Sequence, residues 1–300
     1  MTQTPKQIFE SHATKLGLPS DIVGNIETLY QPIGRWIDTL ASTPGPVTIG
    51  VSGGQGSGKS TFCNLLACWL NVKHHRTTAV LSIDDLYLTR QERSHLGESI
   101  HPLCAIRGVP GTHDVSLGHT VLDAIERASA ETPARIPRFD KTRDDRCELD
   151  AWDILHTRPD VVLFEGWCVG ARPPKPWTEP TNAREAREDP QGVWARWSDQ
   201  ALMATYQDFF ARLDALIMIK VPSMDTVRAG RWKQEKQAWS QVTNPTTQRP
   251  GLMTQTEVDD YVALFERLTT HMLDTMPHYA DVLIEQDGHF GQSLTRIPTY

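Results

Sequence analysis

Between Pro46 and Asn71 the chain reads PVTIGVSGGQGSGKSTFCNLLACWLN, and no other stretch limits the possible folds so tightly. Its middle, Gly53 to Ser60, fits G-x-x-x-x-G-K-[ST], a loop whose backbone N–H groups cradle nucleotide phosphates. Gly53, Gly54, Gly56 and Gly58 permit turns that a Cβ would block and let the chain approach the phosphates closely. Lys59 is a mobile cation able to follow the β- and γ-phosphates, and Ser60 offers a hydroxyl to Mg²⁺. The helix that starts here points its positive end at the anion. Gln55, Ser57 and Thr61 complete the expected ATP contacts of the loop. Both flanks agree: Val47, Ile49 and Val51 form a β-branched run behind Pro46, a strand signal. Phe62, Leu65, Leu66, Trp69 and Leu70 then recur at helical spacing, giving one buried helix face.

The remaining strands follow from short apolar runs. Thr78–Ile83 ends in Asp84-Asp85, and carboxylates at the C-terminal edge of a parallel strand face the ligand crevice. One of them can take a proton from a substrate hydroxyl or help hold Mg²⁺, while the other caps the following turn. Side chains alternate across an extended chain, so only one of the pair faces an acceptor. Val161–Gly166 is a third buried run, and it ends in Glu165, placed to hold Mg²⁺ directly or through water. Ala215–Val221 and Ala280–Glu285 add two more strands. Together these predict an α/β fold with a mostly parallel five-stranded sheet covered by helices on both faces.

Residues 1–45 are expected to form a helical extension packed on a kinase-like body of 46–300. Ile22, Val23, Ile26, Leu29 and Tyr30 share one face, and Pro32 opens a second helix with Ile33, Trp36 and Ile37. Stretches near 90–150 and 171–200 lack strand–helix alternation and are read as insertions. Within the first of them Arg138, Lys141, Arg143 and Arg146 are dense local cations; each alone reads as a solvated charge, and together as an anion site. Val258, Tyr261, Val262, Phe265, Leu268 and Met272 line one face of a late helix, and VTNPTTQRPG at 242–251 reads as a loop.

Charge and composition narrow the partners. A net charge of −7 over 300 residues advertises no basic face for nucleic acid. Five scattered cysteines, none in a C-x-x-C pair, fit reduced thiols in the cytoplasm and not a thiolate metal site. No run has the length of a membrane span, and the first residues lack the apolar stretch of a signal peptide, so a cytoplasmic protein with no membrane partner is expected. Oligomeric state is left open.

A phosphate loop followed by two strand-end acids is the parts list of phosphoryl transfer. No Lys-x-Asp occurs in the chain, which excludes a guanine-reading switch protein. Two classes remain: a small-molecule kinase, and a nucleotide-binding regulator that phosphorylates nothing.

Five blocks in order, GGQGSGKST, LSIDDLYLT, RGVPGTHD, PRFDKT and VVLFEGWCVG, resemble the D-glycerate 3-kinase family. That family is grouped with uridine kinase, pantothenate kinase and phosphoribulokinase, and the likeness runs over residues 46–240. It implies a P-loop NTPase-type fold, ATP and Mg²⁺ as cofactors, and transfer of the γ-phosphate to a hydroxyl of a small anionic hydroxy acid. D-glycerate giving 3-phosphoglycerate is the first candidate, another acceptor of the uridine and pantothenate kinase group the next. By position, Asp84 with Ser82 two before it matches the catalytic base, beside Lys59, and Glu165 with Ser60 matches the metal site. Arg107, Asp114 and the block holding Arg138, Asp140 and Lys141 fall where the group binds its acceptor; Arg146 is a further cation for a carboxylate. Arg228 and Arg231 resemble lid arginines that reach ATP on closure. Leu86 and Thr142 depart from the Phe and Ser more common in the group.

Overall fold

The five apolar runs read as strands in the sequence all become strands of one sheet. The computed structural model describes residues 3–42, 44–240, 253–289 and 291–299, with the side chains of 238–240 left aside. The loop expected at 242–251 lies outside the described residues. Strands β1 (Val47–Gly53), β2 (Thr78–Ser82), β3 (Val161–Gly166), β4 (Ala215–Lys220) and β5 (Val282–Gln286) run parallel. A sixth, β6 (Gln292–Arg296), adds antiparallel to β5, giving the order β6-β5-β4-β1-β3-β2. The mostly parallel sheet is as the sequence indicates, and β6 is additional.

Register sets what the sheet presents at its C-terminal edge. Val51 of β1 and Ser82 of β2 both lie beside Glu165 of the intervening β3. The phosphate loop, the turn after β2 and Glu165 therefore meet at one edge. β1 and β3 are buried at every position, as parallel strands must be when helices cover both faces.

Alternation along β3 divides its side chains between two cores. Val161 and Leu163 pack with Ile49, Val51, Leu65 and Leu66 on one face, where Phe9, Leu29, Ile33 and Ile37 of the N-terminal helical segments close the layer. Val162 and Phe164 pack on the other face with Leu122, Phe209, Phe265 and Met272. Between β2 and β3 the chain makes helices Arg90–Ser99 and Val115–Glu126 and two small ladders. One ladder pairs Phe139–Asp140 with Asp145–Arg146, so Lys141 to Asp144 form its turn, with Asp144 at φ +56°. Among the described residues no helix is long and apolar enough to cross a membrane.

Candidate active site

The phosphate loop bends where its glycines allow it. Gly56 and Gly58 have φ of +74° and +85°, values that favour glycine, and Gly58 caps the helix Lys59–His74. A Cβ on Gly56 would stand 2.4 Å from the carbonyl carbon of Gly230, because helix Met224–Ser240 rests directly on the loop. From below, the side-chain amides of Gln286 and Gln292 donate to the Ser57 carbonyl at 2.9 and 3.1 Å. Lys59 Nζ donates to the Gly54 carbonyl at 3.2 Å.

Over this loop lies a cavity of about 250 Å³. Gln55, Gly56, Lys59 and Ser60 form its floor, and Gly53, Gly54, Ser57, Gly58 and Thr61 build the loop behind that floor. Asp84 and Tyr87 enter from the turn after β2, and Glu165, Gly166 and Trp167 from the end of β3. Arg107 and Lys141 supply two cations that do not belong to the loop. Arg231, Gln234, Tyr261 and Phe265 complete the wall.

Ser60 Oγ donates to Glu165 Oε1 at 2.8 Å, and Glu165 is 6% exposed. A hydroxyl and a carboxylate are hard oxygen donors of the kind Mg²⁺ takes alongside phosphate oxygens and water, so this pair fits that ion. Among the described residues no group of three or more His, Cys, Asp or Glu side chains forms a closed metal cage.

The two adjacent aspartates diverge, though not by strand alternation. β2 stops at Ser82, whose Oγ accepts the Asp84 N–H at 3.3 Å and opens a tight helical turn over Ile83–Leu86. Asp84 faces the cavity. Its Oδ1 accepts the Tyr87 hydroxyl at 3.0 Å and its Oδ2 the Lys141 ammonium at 2.6 Å. Burial alone would raise the Asp84 pKa, but Lys141, with His113 and Lys59 behind it, outweighs burial and holds it at about 2. Asp85 turns to the hairpin, taking the Phe139 N–H at 3.0 Å and the Arg138 guanidinium at 2.8 Å. Burial raises its pKa in spite of those two donors.

Of the expected acceptor residues, the structure brings Arg107 and Lys141 to the cavity and leaves the others outside its wall. Arg107 pairs with the Asp144 carboxylate and lies 5.6 Å from the Phe139 ring centroid. Arg138 is spent on Asp85 and Asp153. Arg146 donates to the Tyr87 carbonyl at 2.8 Å and to Asp114 at 3.2 Å, while Asp114 caps helix Val115–Glu126 through the Leu117 N–H. Asp140 folds back on the N–H and hydroxyl of Thr142. Of the two expected lid arginines, Arg231 lines the cavity and pairs with Glu235 at 2.7 Å, whereas Arg228 bridges Asp225 and Glu266 outside it. Each of the five is engaged by partners on its own segment or on one distant in sequence, although the buried Arg146 Nε has none.

Sequence reasoning missed the aromatic wall and His113. Tyr261 and Phe265 read as core-facing because apolar spacing does not say which part of a helix face borders a cavity. His113 is 5% exposed and stacks on Tyr87 with centroids 4.5 Å apart. The Tyr206 hydroxyl accepts N–H bonds from Gly111 and His113, so its hydrogen goes to His113 Nδ1, 2.7 Å away. Burial lowers the His113 pKa to about 4, against the pull of Asp84, and keeps the ring neutral.

Known proteins resemble this chain at both levels. It is 31% identical over 221 residues to the uncharacterized kinase mug58 of Schizosaccharomyces pombe, covering 71% of this chain and 79% of that protein. It is 29% identical over 276 residues to the chloroplastic D-glycerate 3-kinase of Arabidopsis thaliana, covering 86% of this chain and 56% of that protein. The solved D-glycerate 3-kinase of Cryptococcus neoformans superposes with a TM-score of 0.68 over 89% of this chain and 99% of the other, at 20% identity, which shows a shared fold. No protein-family model matches the chain.

Proposed function

We propose that this chain, which belongs to the D-glycerate 3-kinase family of P-loop kinases and is an ATP-dependent kinase, phosphorylates a hydroxyl of a small anionic hydroxy acid. D-glycerate giving 3-phosphoglycerate is the foremost candidate. One observation carries this reading: a single cavity holds the phosphate loop, the Asp84 carboxylate and three cations from outside the loop, Arg107, Lys141 and Arg231.

In this reading Gly53 to Thr61 hold the ATP phosphates, with Lys59 on the β- and γ-phosphates and Arg231 joining them from the covering helix. Ser60 and Glu165 would hold Mg²⁺, which when bound neutralises charge on the phosphates. Asp84 orients the acceptor hydroxyl and takes its proton as that oxygen bonds to the γ-phosphorus and the bond to ADP breaks. Arg107, fixed by Asp144 and Phe139, suits a carboxylate, since a guanidinium pairs with one through two parallel hydrogen bonds. Most of the acceptor side comes from residues 90–150, which we read as an insertion in a kinase body of 46–300 carrying an N-terminal extension. Five free cysteines support a reducing, cytoplasmic setting.

An acceptor panel tests the reading: ADP release with ATP, Mg²⁺ and D-glycerate, pantothenate, uridine or ribulose 5-phosphate. D-glycerate should give the highest rate. Robust turnover of uridine with none of any hydroxy acid would contradict the role given to the cations. ADP release at one rate with and without every acceptor would leave only a nucleotide-binding regulator.

A further inference from the structure

Lys141 stands on the turn of the Phe139–Arg146 hairpin with its side chain 59% exposed, yet its ammonium reaches 2.6 Å from Asp84 Oδ2. The other Asp84 oxygen already accepts the Tyr87 hydroxyl. Both oxygens of the proposed base are therefore engaged before any acceptor arrives. Arg107 is held differently, by the Asp144 carboxylate and beside the Phe139 ring. Arg107 is thus an anchored cation and Lys141 one on a long exposed stem, and exposed ion pairs of the second kind are weak and easily exchanged. An acceptor carboxylate entering beside Arg107 is a competing anion within reach of that stem.

We propose that Lys141 is a latch that sets acceptor specificity: it occupies Asp84 while no acid is bound, and passes to the acceptor's carboxylate on binding, freeing Asp84 for the hydroxyl. This rests on the kinase reading above and adds a second duty for Lys141. Its main consequence concerns water. With ATP bound and no acid, a water oxygen can bond to the γ-phosphorus as the bond to ADP breaks, provided a carboxylate takes the water's proton. Lys141 on Asp84 withholds that carboxylate and suppresses hydrolysis without an acceptor. The pKa of about 2 at Asp84 agrees, because a carboxylate held so low is a reluctant proton acceptor near neutral pH. An uncharged polyol offers Lys141 no new partner, so the same contact disfavours it.

The test compares wild type, Lys141→Met, Lys141→Arg and Lys141→Met/Asp84→Asn. ADP release is measured without acceptor, with D-glycerate and with glycerol. Lys141→Met should raise acceptor-free release several-fold, the double variant should lose that rise, and Lys141→Arg, which keeps a cation beside Asp84, should raise it less than Lys141→Met does. The preference for D-glycerate over glycerol should fall by about tenfold or more in Lys141→Met, the size expected when a hydrogen bond to a charged group is lost. Acceptor-free release that is unchanged or lower in Lys141→Met, or a rise that persists in the double variant, overturns the latch. If wild type turns over no acid at all, the acceptor reading fails on its own, and the acceptor-free comparison still decides whether Lys141 restrains Asp84.

Discussion

Asparagine at position 84 or 85 removes the same charge from neighbouring residues, and the structure predicts opposite consequences. Asp84→Asn deletes a proton acceptor in the cavity, a change that typically costs about 10²- to 10⁴-fold in rate, or about 3–5 kcal/mol of barrier. It should cost little stability. Its ion pair with Lys141 joins side chains 59% and 31% exposed, so about 1 kcal/mol or less is lost, and the asparagine oxygen still accepts the Tyr87 hydroxyl. Asp85 is the reverse case. Its side chain is 14% exposed and serves two donors, Arg138 and the Phe139 N–H, whereas asparagine has one oxygen for both. Losing a charged hydrogen bond costs about 1.5–3 kcal/mol, reduced here because Arg138 is 38% exposed and keeps Asp153. About 1–2 kcal/mol remains, or a drop of roughly 2–3 °C in melting temperature for a chain of 300 residues. Thermal melts, kcat and ATP affinity measured for both variants decide the matter. A dead Asp85→Asn with unchanged melting, beside a near-normal Asp84→Asn, would refute both assignments.

Three further outcomes follow from the site. Lys59→Ala removes the cation of the loop and should abolish turnover and weaken ATP by about 10- to 100-fold, the range for losing hydrogen bonds to a charged group; titration showing unchanged affinity and rate would exclude the loop's role. Gly56→Ala forces a Cβ into a left-handed residue, costing about 1–2 kcal/mol, and places it 2.4 Å from the Gly230 carbonyl carbon, so melting with and without ATP should show lower stability and a smaller shift by ATP. His113 is held neutral with a pKa of about 4 against 6.5 in the unfolded chain. Between those values the unfolded state binds more protons, so stability falls as pH drops from 6.5 to 4, by up to about 3 kcal/mol. Melts of His113→Gln across that interval should be flatter than wild type; a parallel pair of curves would place the pH dependence elsewhere.

How far the sequence reached depended on whether the signal was local. The phosphate loop, β2 and β3 were legible because each apolar run ends in a residue whose chemistry faces the crevice, and register then brought Ser60 within 2.8 Å of Glu165. β6 was not legible, since QSLTR sits at a sheet edge with half-buried and exposed positions and no apolar run to mark it. Arg138, Arg146 and Arg228 lie outside the cavity wall for a different reason. A cation that binds a ligand and a cation that binds a carboxylate look alike until the fold supplies the partner, and Arg138 meets Asp85 across 53 residues of sequence. The divergence of Asp84 and Asp85 was anticipated, but a helical turn opened by Ser82 produces it, and strand alternation does not.

Product analysis puts the central claim to its most direct test. Wild-type protein incubated with ATP, Mg²⁺ and D-glycerate should yield, by phosphorus NMR, ADP and 3-phosphoglycerate in equal amounts and almost no inorganic phosphate. ADP matched by inorganic phosphate alone, with D-glycerate recovered unchanged, would contradict the account.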